Sequence, residues 1–219
     1  MKSLVKNNWL IIAVYGLIVL TFIYFLLNYG KIEIHVYLNQ FVGNKLIDNF
    51  FYYITYLGDG GMAPILLLGI IFYNVRLGIC CTASFFAATI VSTVLKYFFF
   101  DEVMRPWHVF QWIVHFPLKY VDTNNLYIHN SFPSGHSTQV FAIFICLSLF
   151  ANKNLNKFLF LSIALLTAFS RVYLSQHWLV DIIVGSIIGT SMALFLYYLF
   201  ITKDKLQKFN KPLLKMKKS

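Results

Sequence analysis

The 219 residues carry 59% hydrophobic and 19% aromatic side chains but only 12% charged ones, whereas about a quarter of a soluble domain is charged. That shortage excludes a disordered chain, a nucleic-acid module and most soluble enzymes. The net charge of +10 does not restore a nucleic-acid partner, because seven of the 18 Lys and Arg follow residue 202 and read as a flank facing anionic lipid.

Uncharged runs set the fold class. There are 24 residues between Lys6 and Lys31, 19 between Arg76 and Lys96, 30 between Asp122 and Lys153, and 21 between Asp181 and Lys203. A helix needs about 20 apolar residues to cross the hydrocarbon core. The expectation is an all-α, polytopic membrane protein with six transmembrane helices plus interfacial helices, forming a single domain over residues 1–219. After a short cytoplasmic N-terminus (1–8), the first span covers Trp9 to Asn28. Its start resembles a secretory signal, but the apolar core is long and Asn28-Tyr29-Gly30 offers no small-residue cleavage site, so it reads as an anchor. Residues 31–57 mix charges with aromatics and suit interfacial helices. Asp59-Gly60-Gly61 breaks the chain before a second span over 61–75, and the third covers 77–99. A polar and aromatic outer loop (101–133) leads to the fourth span from Ser134 to Phe150. The fifth covers 158–172, the sixth 178–201, and a basic tail occupies 203–219. The three cysteines, Cys80, Cys81 and Cys146, fall inside apolar runs and read as packing residues.

Six crossings put both termini on one side. That side holds 12 basic groups and one acid, against six basic groups and seven acids on the other. Excess Lys and Arg marks the cytoplasm. The expected setting is therefore the cytoplasmic (inner) membrane, with termini inside and the 101–133 loop facing the periplasm or cell exterior.

Chemistry-bearing residues collect at the ends of spans on that outer face. Pro133-Ser134-Gly135-His136 opens the fourth span, with proline and a capping serine suited to a helix start. Gly135 permits close backbone approach, and free amides at such a start favour an anion. An ordinary capped helix with an interfacial histidine is the plainer reading of this block alone. Ser170-Arg171 precedes His177, which stands four residues before Asp181 and so shares a helical face with it. Asp181 can fix the imidazole tautomer and leave the other nitrogen as a nucleophile; a helix-surface ion pair is the alternative. Lys96 and Arg105 can reach a phosphate, arginine by a bidentate fork, although Lys96 alone reads as a snorkelling lysine. Asp101 and Glu102 can instead neutralise these bases. Two histidines in separate contexts suit a division of labour, one attacking phosphorus and one protonating the departing oxygen. No carboxylate cluster suited to magnesium accompanies them, so no metal and no cofactor is expected.

Lys96…Arg105-Pro106, Pro133-Ser134-Gly135-His136 and Ser170-Arg171…His177…Asp181 together resemble the tripartite signature of the type 2 phosphatidic acid phosphatase superfamily. The second and third blocks match in residue and spacing. The first departs, because the eight residues Tyr97–Met104 exceed the usual spacing. The resemblance implies a lipid phosphatase with His177 as the nucleophile forming a phosphohistidine, Asp181 orienting it, and His136 as general acid. It further implies that Lys96, Arg105, Arg171, Ser134 and Gly135 bind phosphate. Candidate substrates by the same resemblance are undecaprenyl diphosphate, phosphatidylglycerophosphate, phosphatidic acid and lipid A. A lipid phosphotransferase using the same intermediate, and a non-catalytic lipid-phosphate binder or transporter, are the alternatives. Against transport, no span centre carries a charge. The loop aromatics Trp107, Phe110, Trp112, Phe116 and Tyr120 read as an interfacial belt or the lining of a lipid groove, and Trp178 as packing. His35, His108, His115 and His129 show no partner spacing.

Overall fold

The computed structural model describes residues 2–123 and 126–203, with Leu206, Phe209 and Pro212; most of the basic tail lies outside the described residues. The described chain is helical without strands. Four helices are long and apolar enough to cross a bilayer: residues 4–39 of α1 (Lys2–Asn39), α4 (Val75–Phe98), α7 (Asn154–Tyr173), and α8 (Leu179–Tyr197) with its extension to Thr202. These contain the expected first, third, fifth and sixth spans. The other two expected spans take different forms. α6 (Gly135–Phe150) starts and ends where the sequence placed the fourth span, but its 16 residues rise only about 24 Å. The second span is the weaker half of a bent pair. α3 (Ala63–Tyr73) follows α2 (Lys45–Ile54) and a 3-10 turn, Thr55–Gly58, and the two halves meet at 66°. Helix length alone therefore supports four crossings, or five with the bent pair; the count of six additionally needs the short α6.

α1 runs past its expected end. Gly30 breaks it with φ 71° and ψ 165°, a conformation that only glycine adopts without strain, and the helix then resumes to Asn39. This second part sits beside the 177–181 segment: His35 Nε2 lies 3.1 Å from Ser175 Oγ, and Lys31 Nζ stands 4.8 Å above the Trp178 ring. Asn44 caps α2 by accepting from the amides of Leu46 and Ile47. Asp48 on α2 accepts from the Tyr173 hydroxyl at 2.6 Å, which docks α2 onto the end of α7.

The core centres on α6. Val140, Phe141, Ala142, Ile143 and Cys146 are all buried, and α6 packs against α4, α7 and α8. Contact with α8 is unusually close because Gly185 and Gly189 face it. A Cβ on Gly185 would stand 2.6 Å from the Ser134 carbonyl oxygen, and one on Gly189 2.4 Å from that of Thr138. Small residues four apart let two helices approach to backbone contact, and here they set the start of α8 against the start of α6. The three cysteines are buried and free, with Cys80 and Cys146 sulfurs 4.0 Å apart in this core.

At the end away from the 101–133 loop, two buried cations tie helix ends together. Arg76 donates to the carbonyls of Phe200 and Ile201, and Lys157 Nζ donates to Asn7 O and Asn8 Oδ1 at 2.9 and 2.6 Å.

Candidate active site

The loop between α7 and α8 and the first turns of α6 and α8 meet at one end of the bundle. Asp181 sits in the first turn of α8, where the helix dipole favours a negative charge. Its Oδ2 accepts from the Trp178 amide at 2.9 Å, the Ser131 hydroxyl at 2.5 Å and His177 Nδ1 at 3.3 Å. Its backbone carbonyl accepts from the Ser134 amide at 3.1 Å. One residue thus links the two motif blocks through both its side chain and its backbone.

His177 is buried, and its two ring nitrogens face different partners. Nδ1 faces Asp181 Oδ2, so it carries the proton; Nε2 lies 3.5 Å from Arg105 Nη1 and is left with the lone pair. Burial holds the imidazole well below its ordinary range, and the charges of Arg105, Lys96 and Arg171, with His136, act in the same direction. All four therefore lie within electrostatic reach of this ring.

Arg105 reaches the site despite the longer spacing after Lys96. Asp101 and Glu102 form an exposed turn. The chain then pairs with a second stretch of the loop: Ser131 N donates to Val103 O, Asn130 N to Asp101 O, and Arg105 N to Ile128 O. The extra residues bulge outward. The guanidinium is fixed by carbonyls of His129, Gln176 and Asn130 and by Gln176 Oε1, with the Tyr127 ring 5.4 Å away. Its donors go to these acceptors rather than to Asp101 or Glu102.

Arg171, in the last turn of α7, donates from Nη1 to Thr55 Oγ1 at 2.9 Å, while its buried Nε has no hydrogen-bond partner. Ser134 caps α6, accepting from the amide and hydroxyl of Ser137 at 3.4 and 3.0 Å. The amides of Gly135 and His136 fall in the first turn, where no intrahelical acceptor exists. A Cβ on Gly135 would meet nothing within 4 Å, so packing does not demand glycine there. His136 Nε2 stands 3.8 Å from Asp59 Oδ2.

The structure thus brings Lys96, Arg105, Ser134, Gly135, His136, Arg171, His177 and Asp181 to one end of the bundle. It adds Thr55, Asp59, Ser131 and Gln176, which sequence reasoning had not singled out. Asp59 carried a signal as part of the Asp59-Gly60-Gly61 break, and Gln176 falls at an unspecified position inside the third motif block; Thr55 and Ser131 lie outside every motif. Trp178 is fully buried and donates to Met104 O at 2.9 Å, a packing and anchoring role. Phe110 is a correction to the aromatic belt: it is buried against Trp178 and His35, whereas Trp112 and Phe116 are exposed. Among the described residues no three His, Cys, Asp or Glu side chains gather as metal ligands.

Residues 77–205 match the PAP2 superfamily. No curated protein matches the sequence significantly. The fold is similar to the crystal structure of Aquifex aeolicus LpxE, with 25% identity and a TM-score of 0.65 over 76% of this chain and 93% of that one. It is also similar in fold to the first transmembrane PAP2-type phosphatidylglycerolphosphate phosphatase from Bacillus subtilis. There the identity is 19% and the TM-score 0.62, over 90% of this chain and 98% of that one.

Proposed function

The chain belongs to the PAP2 superfamily and is a membrane lipid phosphatase, and from that premise we propose that it removes a terminal phosphate from a lipid monoester or diphosphate through a phosphohistidine, without a metal. His177 Nε2 attacks phosphorus while Asp181 holds the Nδ1 proton and offsets the charge that develops on the ring. His136 gives its proton to the departing lipid oxygen, and water then takes the phosphoryl group from His177. Lys96, Arg105, Arg171, the Ser134 hydroxyl and the first-turn amides at Gly135 and His136 bind the phosphate and its equatorial oxygens.

The observation that carries this reading is the polarity of His177. One nitrogen is anchored by a buried carboxylate and the other, unprotonated, faces a guanidinium. The unpartnered Arg171 Nε supports it, because a buried donor left unpaired costs about 1–3 kcal/mol, a cost that an arriving phosphate oxygen would relieve. The charge asymmetry of the chain supports a site on the outer face of the cytoplasmic membrane, with both termini inside.

The test is phosphate release from a panel of lipid phosphates in excess EDTA, beside His177→Ala. The expected result is metal-independent release, abolished in the variant, with acid-labile label trapped on the wild-type protein alone. Unchanged activity in His177→Ala would overturn the mechanism. Label arriving on a second lipid in place of water would mark a transferase.

A further inference from the structure

The acid proposed at His136 must carry its proton among three cations, Arg171, Arg105 and Lys96, with the His177 ring also in reach. An opposite charge beside such an acid favours its protonated form, and the signature motifs hold no carboxylate for it. Asp59 lies outside the matched family region, yet its Oδ2 comes within 3.8 Å of His136 Nε2.

The turn that carries Asp59 is built to hold it there. Asp59 Oδ1 accepts from the Gly61 amide at 2.7 Å, and the Asp59 amide donates to Tyr56 O at 3.0 Å. The turn rests directly on His136 because residue 58 lacks a side chain. A Cβ on Gly58 would stand 3.0 Å from the His136 carbonyl oxygen and 3.2 Å from its Cβ, with Thr167 Cγ2 at 3.1 Å. The same turn supplies Thr55 to Arg171.

We propose that Asp59 is a positioning residue for His136, its carboxylate held on the Gly58–Gly61 turn so that the imidazole stays protonated and oriented for the leaving oxygen. This rests on the reading of His136 as the general acid. In the first half-reaction the His177 N–P bond forms, the P–O bond to the lipid breaks, and the His136 proton goes to that oxygen. In the second, water gives a proton to His136 as its oxygen bonds phosphorus and the N–P bond breaks. Asp59 exchanges no proton in either half-reaction.

The discriminating measurement is dependence on the leaving group. Asp59→Asn, Asp59→Glu, Gly58→Ala and His136→Ala are assayed on a short-chain phosphatidic acid, whose alkoxide must be protonated, and on p-nitrophenyl phosphate, whose phenolate departs unaided. Asp59→Asn is expected to lower kcat/KM on the lipid phosphate, which reports the first half-reaction alone, by about 100-fold while changing the nitrophenyl kcat/KM by less than about 3-fold, the split a lost general acid leaves. Asp59→Glu should restore part of the lipid rate. Gly58→Ala, which keeps the carboxylate but lifts the turn, should show a weaker split of the same kind. Equal losses on both substrates would reduce Asp59 to a structural role and overturn the proposal. A split in His136→Ala without one in Asp59→Asn or Gly58→Ala would sink Asp59 alone, and no split in His136→Ala would sink the acid assignment itself. Should Asp59→Asn fail to fold, Asp59→Glu and Gly58→Ala decide by the same criterion.

Discussion

His177 is fixed at both ring nitrogens, which makes its protonation state a matter of geometry as much as of pH. Burial and the surrounding cations place its folded pKa below that of the unfolded chain. As pH falls beneath about 6.5, the unfolded chain takes up a proton that the native ring refuses. This histidine's contribution to stability is therefore complete above that pH and is lost as pH drops toward the folded pKa. In histidine-labelled protein, the imidazole resonance missing from His177→Gln should not titrate between pH 7.5 and 6; a midpoint at 6.5 or higher would contradict a buried, neutral imidazole. The His177–Asp181 pair was legible from its four-residue spacing, although the shared helical face expected of it is not what joins them: His177 precedes α8, and Asp181 in the first turn reaches back to it. Ser131, Gln176 and Thr55 were not, because each reaches the site across a loop or turn whose path no periodicity encodes. Asp59 was visible only as a helix breaker, since chain distance hides its approach to His136.

At the scale of elements, two glycines on α8 do what no motif residue can. The Asp181 carbonyl meets the Ser134 amide only because Gly185 and Gly189 let α8 lie on the α6 backbone. Adding a methyl at Gly185 drives it toward the Ser134 carbonyl, and overpacking of this kind costs about 1–3 kcal/mol. Gly185→Ala should therefore lower the unfolding midpoint in detergent and reduce kcat together, as the two motif blocks separate. Gly135→Ala is the contrasting case. Its Cβ has open space and alanine favours a helix by up to about 1 kcal/mol, so stability should hold or rise while phosphate binding weakens. A pair in which Gly135→Ala unfolds and Gly185→Ala does not would reverse this assignment. The ends of α4, α7 and α8 were readable from uncharged runs to within a few residues. The bend between α2 and α3 and the continuation of α1 past Gly30 were not. Both depend on backbone breaks at glycine-containing turns, whose direction composition does not set.

Across the whole molecule, every charged group with a proposed chemical role lies at one end of the bundle, and the buried cations at the other end serve structure. Lys96 ends α4, Arg171 ends α7, and His136 and Asp181 begin α6 and α8, so alternating helix direction brings all four to a common face. Arg76 begins α4 and Lys157 lies in the first turn of α7, and both spend their donors on helix-end carbonyls or asparagine. The positive-inside count therefore includes two residues whose positions packing also requires, which makes the sidedness it implies a claim worth testing independently. Glu102 on the loop and Asn152 between α6 and α7 are both exposed, and all three native cysteines are buried. Native thiols should therefore stay silent toward a membrane-impermeant maleimide. With the site facing outward, Glu102→Cys should label in intact cells and Asn152→Cys only after permeabilisation. The reverse pattern would put the phosphate site in the cytoplasm and direct the search for its substrate to lipids of the inner leaflet.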